Sequence, residues 1–119
     1  MKQLLGFILI PLLLVGPVSA HSPLERTEPK DGQSLSASPA EIRMWFGESI
    51  KAGLSTFKVL DFSGKQVDKH DLRADEKESG LVRLSLAEKL PAGTYKVTWS
   101  AVAQDMHVGK GSFSFKIAP

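Results

Sequence analysis

The chain has 119 residues, with 15 Lys and Arg against 13 Asp and Glu, a hydrophobic fraction of 42% and no cysteine. That length suits one domain and not two, and a nearly balanced charge spread along the chain without a basic block argues against a nucleic-acid or anionic-lipid footprint. With no thiol, the fold has to be held by its own core, and any metal site must use nitrogen, carboxylate or thioether ligands.

Residues 1–20 read as a secretory signal. Lys2 gives a positive start, Leu4 to Val15 is an apolar run too short to span a bilayer, and Val18-Ser19-Ala20 has the small residues a signal peptidase inspects. Cleavage after Ala20 makes His21 the first residue of a single mature domain over 21–119. A lipid-anchored form needs a cysteine at that new terminus. The mature chain is therefore expected to be exported and soluble, with no direct membrane insertion, and it is taken as a monomer.

Beyond the signal, short alternating apolar segments are divided by Gly, Pro and Ser turns, and no long helical period appears. Pro29-Lys30-Asp31-Gly32 and Ser36-Ala37-Ser38-Pro39 bracket a first short strand near Leu35. Ile42, Met44 and Phe46 share one face of the next, with Arg43 and Trp45 opposite. Phe57 and Val59 open another strand, which stops at Ser63-Gly64-Lys65 ahead of Val67. Asp68 to Gly80 is charged, with Leu72 its one large apolar residue, and predicts an exposed loop or weak edge strand. Val82, Leu84 and Leu86 resume the alternation. After the turn Leu90-Pro91-Ala92-Gly93, Tyr95, Val97, Trp99 and Ala101 point one way. Phe113, Phe115 and Ile117 do the same in a last strand. About seven such strands predict an all-β Greek-key sandwich or barrel of Ig-like or cupredoxin-like type. Tyr95 resembles a tyrosine corner, and Trp99 belongs to the core.

Three histidines occur. As a mature N-terminus, His21 offers both an α-amine and an imidazole nitrogen, which can close a chelate ring on one ion. Asp105 and His107 are two apart, so in an extended segment they project to the same side. Together these supply three nitrogens and one oxygen, the tetragonal set that favours Cu(II), one ion per chain. His70, beside Asp68, Lys69 and Asp71, reads as part of an ordinary wet loop. Met44 reads as core filler, and Met106 alternates away from its neighbours, so no thioether cluster for Cu(I) is expected. Asp75 and Glu76 read as a solvated pair. No Gly-rich phosphate loop and no catalytic triad is evident, and no catalytic residue is expected.

His21-Ser22-Pro23-Leu24, Pro29-Lys30-Asp31-Gly32, Trp45-Phe46, and above all the run from Leu90 through Trp99 to Asp105-Met106-His107 and Gly109-Lys110-Gly111 make the chain resemble the CopC copper-resistance proteins, including their short YobA-like members. The resemblance implies a Greek-key β domain that binds Cu(II) through the first residue and an Asp-x-His motif, here His21, Asp105 and His107. It implies a periplasmic carrier or buffer serving copper homeostasis and resistance, with a CopD-like inner-membrane permease as partner. Two departures stand out. Met106 occupies the position where the family usually has glycine, and the methionine-rich segment of members that also hold Cu(I) is missing. Two other functions are open to such a sequence: an oxidative mono-copper enzyme built on the terminal histidine, and a metal-free Ig-like interaction module.

Overall fold

The computed structural model describes residues 24–119, so the signal and His21 lie outside the described residues. Eight strands form, and period-two alternation accounts for the long ones. Strand β3 (Glu41–Phe46) turns Ile42, Met44 and Phe46 into the core; β4 (Thr56–Leu60) turns in Phe57 and Val59; β6 (Leu81–Ser85) turns in Val82 and Leu84. Strands β7 (Gly93–Val102) and β8 (Val108–Ile117) contribute Tyr95, Val97, Ala101, Phe113, Phe115 and Ile117. Strand β1 (Leu24–Glu28) and the two-residue strands β2 (Ser34–Leu35) and β5 (Arg73–Ala74) complete the set.

The strands make two four-stranded sheets, sheet A in the order β1-β3-β6-β5 and sheet B in the order β2-β8-β7-β4. All pairs are antiparallel except β2 with β8. The chain changes sheet at every link other than β5–β6 and β7–β8, and no strand is shared, so the fold is a sandwich and not a closed barrel. Among the described residues no helix is long and apolar enough to cross a membrane.

Tyr95 is the expected corner. Its hydroxyl donates to the carbonyl of Pro91 at 2.5 Å, its ring stacks on Phe115 at 5.4 Å between centroids, and burial pushes its pKa up. Trp99 packs on Phe46 and Phe113. The space it fills exists because Gly111 lies opposite, where a Cβ would stand 2.4 Å from the indole Cζ2.

Trp45 points outward from β3 as expected, yet it is buried. The Arg26 guanidinium covers its ring at 3.7 Å, and the indole N–H donates to Glu78 Oε2 at 3.0 Å.

The segment after Val67 holds the expected weak edge strand, β5, yet it is more tightly organised than an exposed loop. Asp68 is fully enclosed, because its carboxylate accepts from the amide of Val59 at 2.9 Å, from Gln66 Nε2 at 3.0 and 3.1 Å, and from the amide of His70 at 3.1 Å. Asp75 also does more than sit in water. It accepts from the amides of Lys77 and Glu78 and from Arg83 Nε, and the Glu78 amide, then Arg83 and the Lys77 amide, hold its pKa at about 2. Arg73 and Arg83 in turn share Glu41. The charges of this stretch form a network that ties the small edge strand β5 to β6.

Candidate metal centre

Strands β7 and β8 pair without interruption from Gly93–Ile117 to Val102–Val108, and this long hairpin carries Asp105 and His107 at its tip. The tip is tightly built. The amide of Ala103 donates to the carbonyl of His107 and that of Met106 to Ala103, each at 2.8 Å. It is also moored to the loop after β3, since Ile50 bridges to Ala103 and the Gln104 amide donates to the Ser49 carbonyl at 3.0 Å.

Asp105 and His107 do meet, but not for the reason alternation suggests. Residues 104–106 turn rather than extend, and Met106 adopts a left-handed conformation with φ of 72°. That reversal brings the two side chains to one side. The Asp105 Oδ1 accepts from the His107 amide at 3.1 Å, and Oδ2 stands 2.9 Å from His107 Nδ1. The left-handed φ explains why glycine suits the position between the two, and why Met106 fits there only with some backbone strain. Met106 itself is exposed, and Met44 is core as expected.

Both members of the pair are open to solvent, at 52% and 63% exposed. The hydrogen bond from the His107 amide, helped by the nearby imidazole, holds the Asp105 carboxyl below its ordinary pKa. A carboxylate kept ionised beside an imidazole is a donor set for a metal ion. Two adjacent in-plane ligands, each about 2.0 Å from a metal and at right angles, lie about 2.8 Å apart. The Oδ2–Nδ1 separation of 2.9 Å is close to such an edge, so the two atoms lie near enough to approach one ion.

Among the described residues no third Asp, Glu or His joins the pair to make a metal cluster. His70 stands apart with its own partner: its Nδ1 is 4.0 Å from the enclosed Asp68, and the ring is 73% exposed. His21 lies outside the described residues. The first described residue, Leu24, pairs with Phe46, whose amide donates to the Gly80 carbonyl, and residues 46–50 lead directly to the Ile50–Ala103 bridge. The start of β1 therefore lies at the same end of the sandwich as the Asp105/His107 tip.

The CopC domain profile matches residues 24–118, which includes both sheets in full. The chain belongs to the CopC family. Copper resistance protein C of Pseudomonas syringae pv. tomato is 31% identical over 111 residues, covering 89% of this chain and 87% of that protein. Protein YobA of Escherichia coli K12 is 28% identical over 110 residues, covering 92% and 89%. The copper transport protein CutJ of Bacillus subtilis is 27% identical over 98 residues; those cover 82% of this chain, which spans only 18% of CutJ. The crystal structure of CopC from Methylosinus trichosporium OB3b superposes with a TM-score of 0.74 at 26% identity, covering 83% of this chain and 95% of that one. CopC membership and the all-β sandwich thus agree with the sequence motifs from Leu90 to Gly111.

Proposed function

We propose that this CopC-family chain is an exported Cu(II)-binding protein that carries or buffers one copper ion, held by the α-amine and imidazole of His21 together with Asp105 and His107. The observation that carries the reading is the exposed, ionised Asp105 set 2.9 Å from His107 Nδ1. The chain's membership of the family and the copper-resistance names of its relatives support the choice of metal. Three residues of extended chain reach about 10 Å, which suits a ligand entering from the start of β1 at the same end. The three-nitrogen, one-oxygen set favours Cu(II) over other divalent ions.

A charged ligand in the plane and a compact sandwich with few long loops leave little room for an oxidisable polymer, so we read the protein as a binder and not an enzyme. CutJ, a copper transport protein, contains a CopC-like stretch within a much longer chain, which supports a permease-like membrane partner for a stand-alone CopC domain.

The test uses the terminal amine. Both the amine, ordinarily near 7.7 to 8.0, and imidazole, near 6.5, must lose protons to bind, so affinity should fall on acidification. One extra residue before His21 converts the amine to an amide and should leave the fold intact while weakening Cu(II) binding by orders of magnitude, with a changed electron paramagnetic resonance spectrum. Equal affinity and an identical spectrum in the extended, folded protein would mean the terminal chelate is wrong.

A further inference from the structure

The near balance of charge hides a division between the two faces of the sandwich. The strands of sheet A carry all four arginines of the chain, Arg26, Arg43, Arg73 and Arg83, with Glu25, Glu28 and Glu41 and no lysine. Arg43, Arg73 and Arg83 are ion-paired there, and Arg26 is stacked on Trp45. The strands of sheet B carry four lysines, Lys58, Lys96, Lys110 and Lys116, and no carboxylate at all. All four are exposed, and the ion pairs among the described residues are made by arginine and histidine, none by these lysines.

Register sets their pattern. Lys58 pairs with Thr98 and Lys96 with Leu60 across β4–β7, while Lys96 pairs with Ser114 and Thr94 with Lys116 across β7–β8. Lys58, Lys96 and Lys116 therefore run as a diagonal row with steps of roughly 7–8 Å. Lys110, opposite Ser100, continues the positive face toward the hairpin tip. Thr94, Thr98, Ser100, Ser112 and Ser114 fill the outward positions between them and can donate to phosphate oxygens.

A second observation points to what covers this face. The exposed large apolar side chains of the described residues are Leu54, Phe62, Met106 and Val108. Leu54 and Phe62 flank the two ends of β4, and Met106 and Val108 lie at the β7–β8 tip, so all four lie beside sheet B, with Leu54 on a short turn that also touches β5 at the edge of sheet A. Unpaired lysines within an apolar margin are the composition of an interfacial membrane surface, where ammonium groups meet anionic headgroups and apolar side chains enter the acyl boundary. A nucleic-acid or acidic-protein partner accounts for the lysines but gives no use to the apolar margin.

We propose that the outer face of sheet B docks reversibly on an anionic phospholipid bilayer, laying the β7–β8 hairpin, and with it the Asp105/His107 tip, at the membrane surface. The inference goes beyond copper binding and does not depend on it. It concerns adsorption, without a spanning segment.

The experiment is sedimentation of the copper-free chain beginning at His21, which retains both sheets, with vesicles of phosphatidylcholine alone or with an equal share of phosphatidylglycerol. Binding is expected to the anionic vesicles, to be strongly reduced by raising salt from 0.05 to 0.5 M, and to be negligible on phosphatidylcholine. Each lysine near the surface contributes roughly fivefold, so Lys58→Gln/Lys96→Gln/Lys116→Gln should weaken partitioning about a hundredfold. Lys69→Gln/Lys77→Gln/Lys89→Gln, with the same net charge but on exposed loops outside sheet B, should keep most of it. Phe62→Ser/Val108→Ser should weaken it at unchanged charge. Equal losses in the two lysine triples, no binding to anionic vesicles, or binding of heparin through this face without vesicle binding would each overturn the proposal.

Discussion

Replacing Asp68 separates the observed structure from the wet-loop reading, because in a wet loop the change is nearly free. Here the carboxylate is fully enclosed and is the acceptor for the amide of Val59, a residue with no exposed surface in the middle of β4. Asp68→Ala leaves that amide unmet, at about 1–3 kcal/mol, and loses the charge-assisted bonds from Gln66 and the His70 amide, which lie nearer the surface and can turn to water. Relief from burying a carboxylate offsets part of this. The net expectation is a loss of about 1–3 kcal/mol, or roughly 5–20 °C in Tm for a domain of this size. Asp68→Asn keeps an acceptor for Val59 but sets an NH2 against the His70 amide, so it should fall between wild type and Ala. Urea unfolding followed by tryptophan fluorescence measures both. A loss below about 0.5 kcal/mol for the Ala variant, or an Asn variant worse than Ala, would refute the reasoning.

Gly111→Ala should cost about 1–3 kcal/mol in urea unfolding, since its Cβ would meet the Trp99 indole at 2.4 Å and force the ring against Phe46 and Phe113; a neutral effect would mean the ring has free space. Met106→Gly relieves about 1 kcal/mol of left-handed strain and adds a similar unfolded-state entropy, so stability should change by under about 0.5 kcal/mol, with Cu(II) affinity kept. Met106→Pro cannot adopt that φ and removes the amide that bonds Ala103, so it should lower Cu(II) affinity at least about tenfold while the circular dichroism of the sandwich persists. Asp75 is held at about 2 in the folded chain, below its ordinary value of 3.8, so its stabilisation is complete above about pH 4 and is lost as pH falls toward 2. The urea midpoint should decline over that window, and less steeply in Asp75→Asn.

The strands were legible where one face is buried and the other wet. Ile42/Met44/Phe46, Tyr95/Val97 and Phe113/Phe115/Ile117 all enter the core that their alternation predicts, because a one-residue slip would expose every one of them. The stretch from Asp68 to Gly80 was harder to read, since its structure comes from hydrogen bonds to carboxylates and not from apolar period. Nothing in the residue types around Asp68 says that Val59, nine positions earlier, will need its oxygen. At the hairpin tip the Asp-x-His spacing anticipated that Asp105 and His107 lie close together, but through the wrong geometry. A turn at Met106, which a two-residue period cannot express, brings the side chains together.

The choice of cation follows from the same local physics. On sheet A, Glu41 accepts from Arg73 and Arg83, and Trp45 needs a flat cation over its ring; the planar guanidinium, with several fixed donors, meets both needs where a lysine meets neither. Arginine is thereby committed to holding sheet A together. On sheet B the core faces are aromatic and aliphatic, the outward positions need no internal partner, and lysine remains free there as a mobile charge. A count of charges treats the two sets as equal and opposite to the carboxylates. Each pair removes an arginine and a carboxylate together, so the surplus on one side comes from placement: the strands of sheet B carry four lysines and no carboxylate, and a chain whose formal net charge is only +2 still has a positive stretch there. The balanced total therefore speaks against a basic block in the sequence, and not against an anionic partner for one face of the fold.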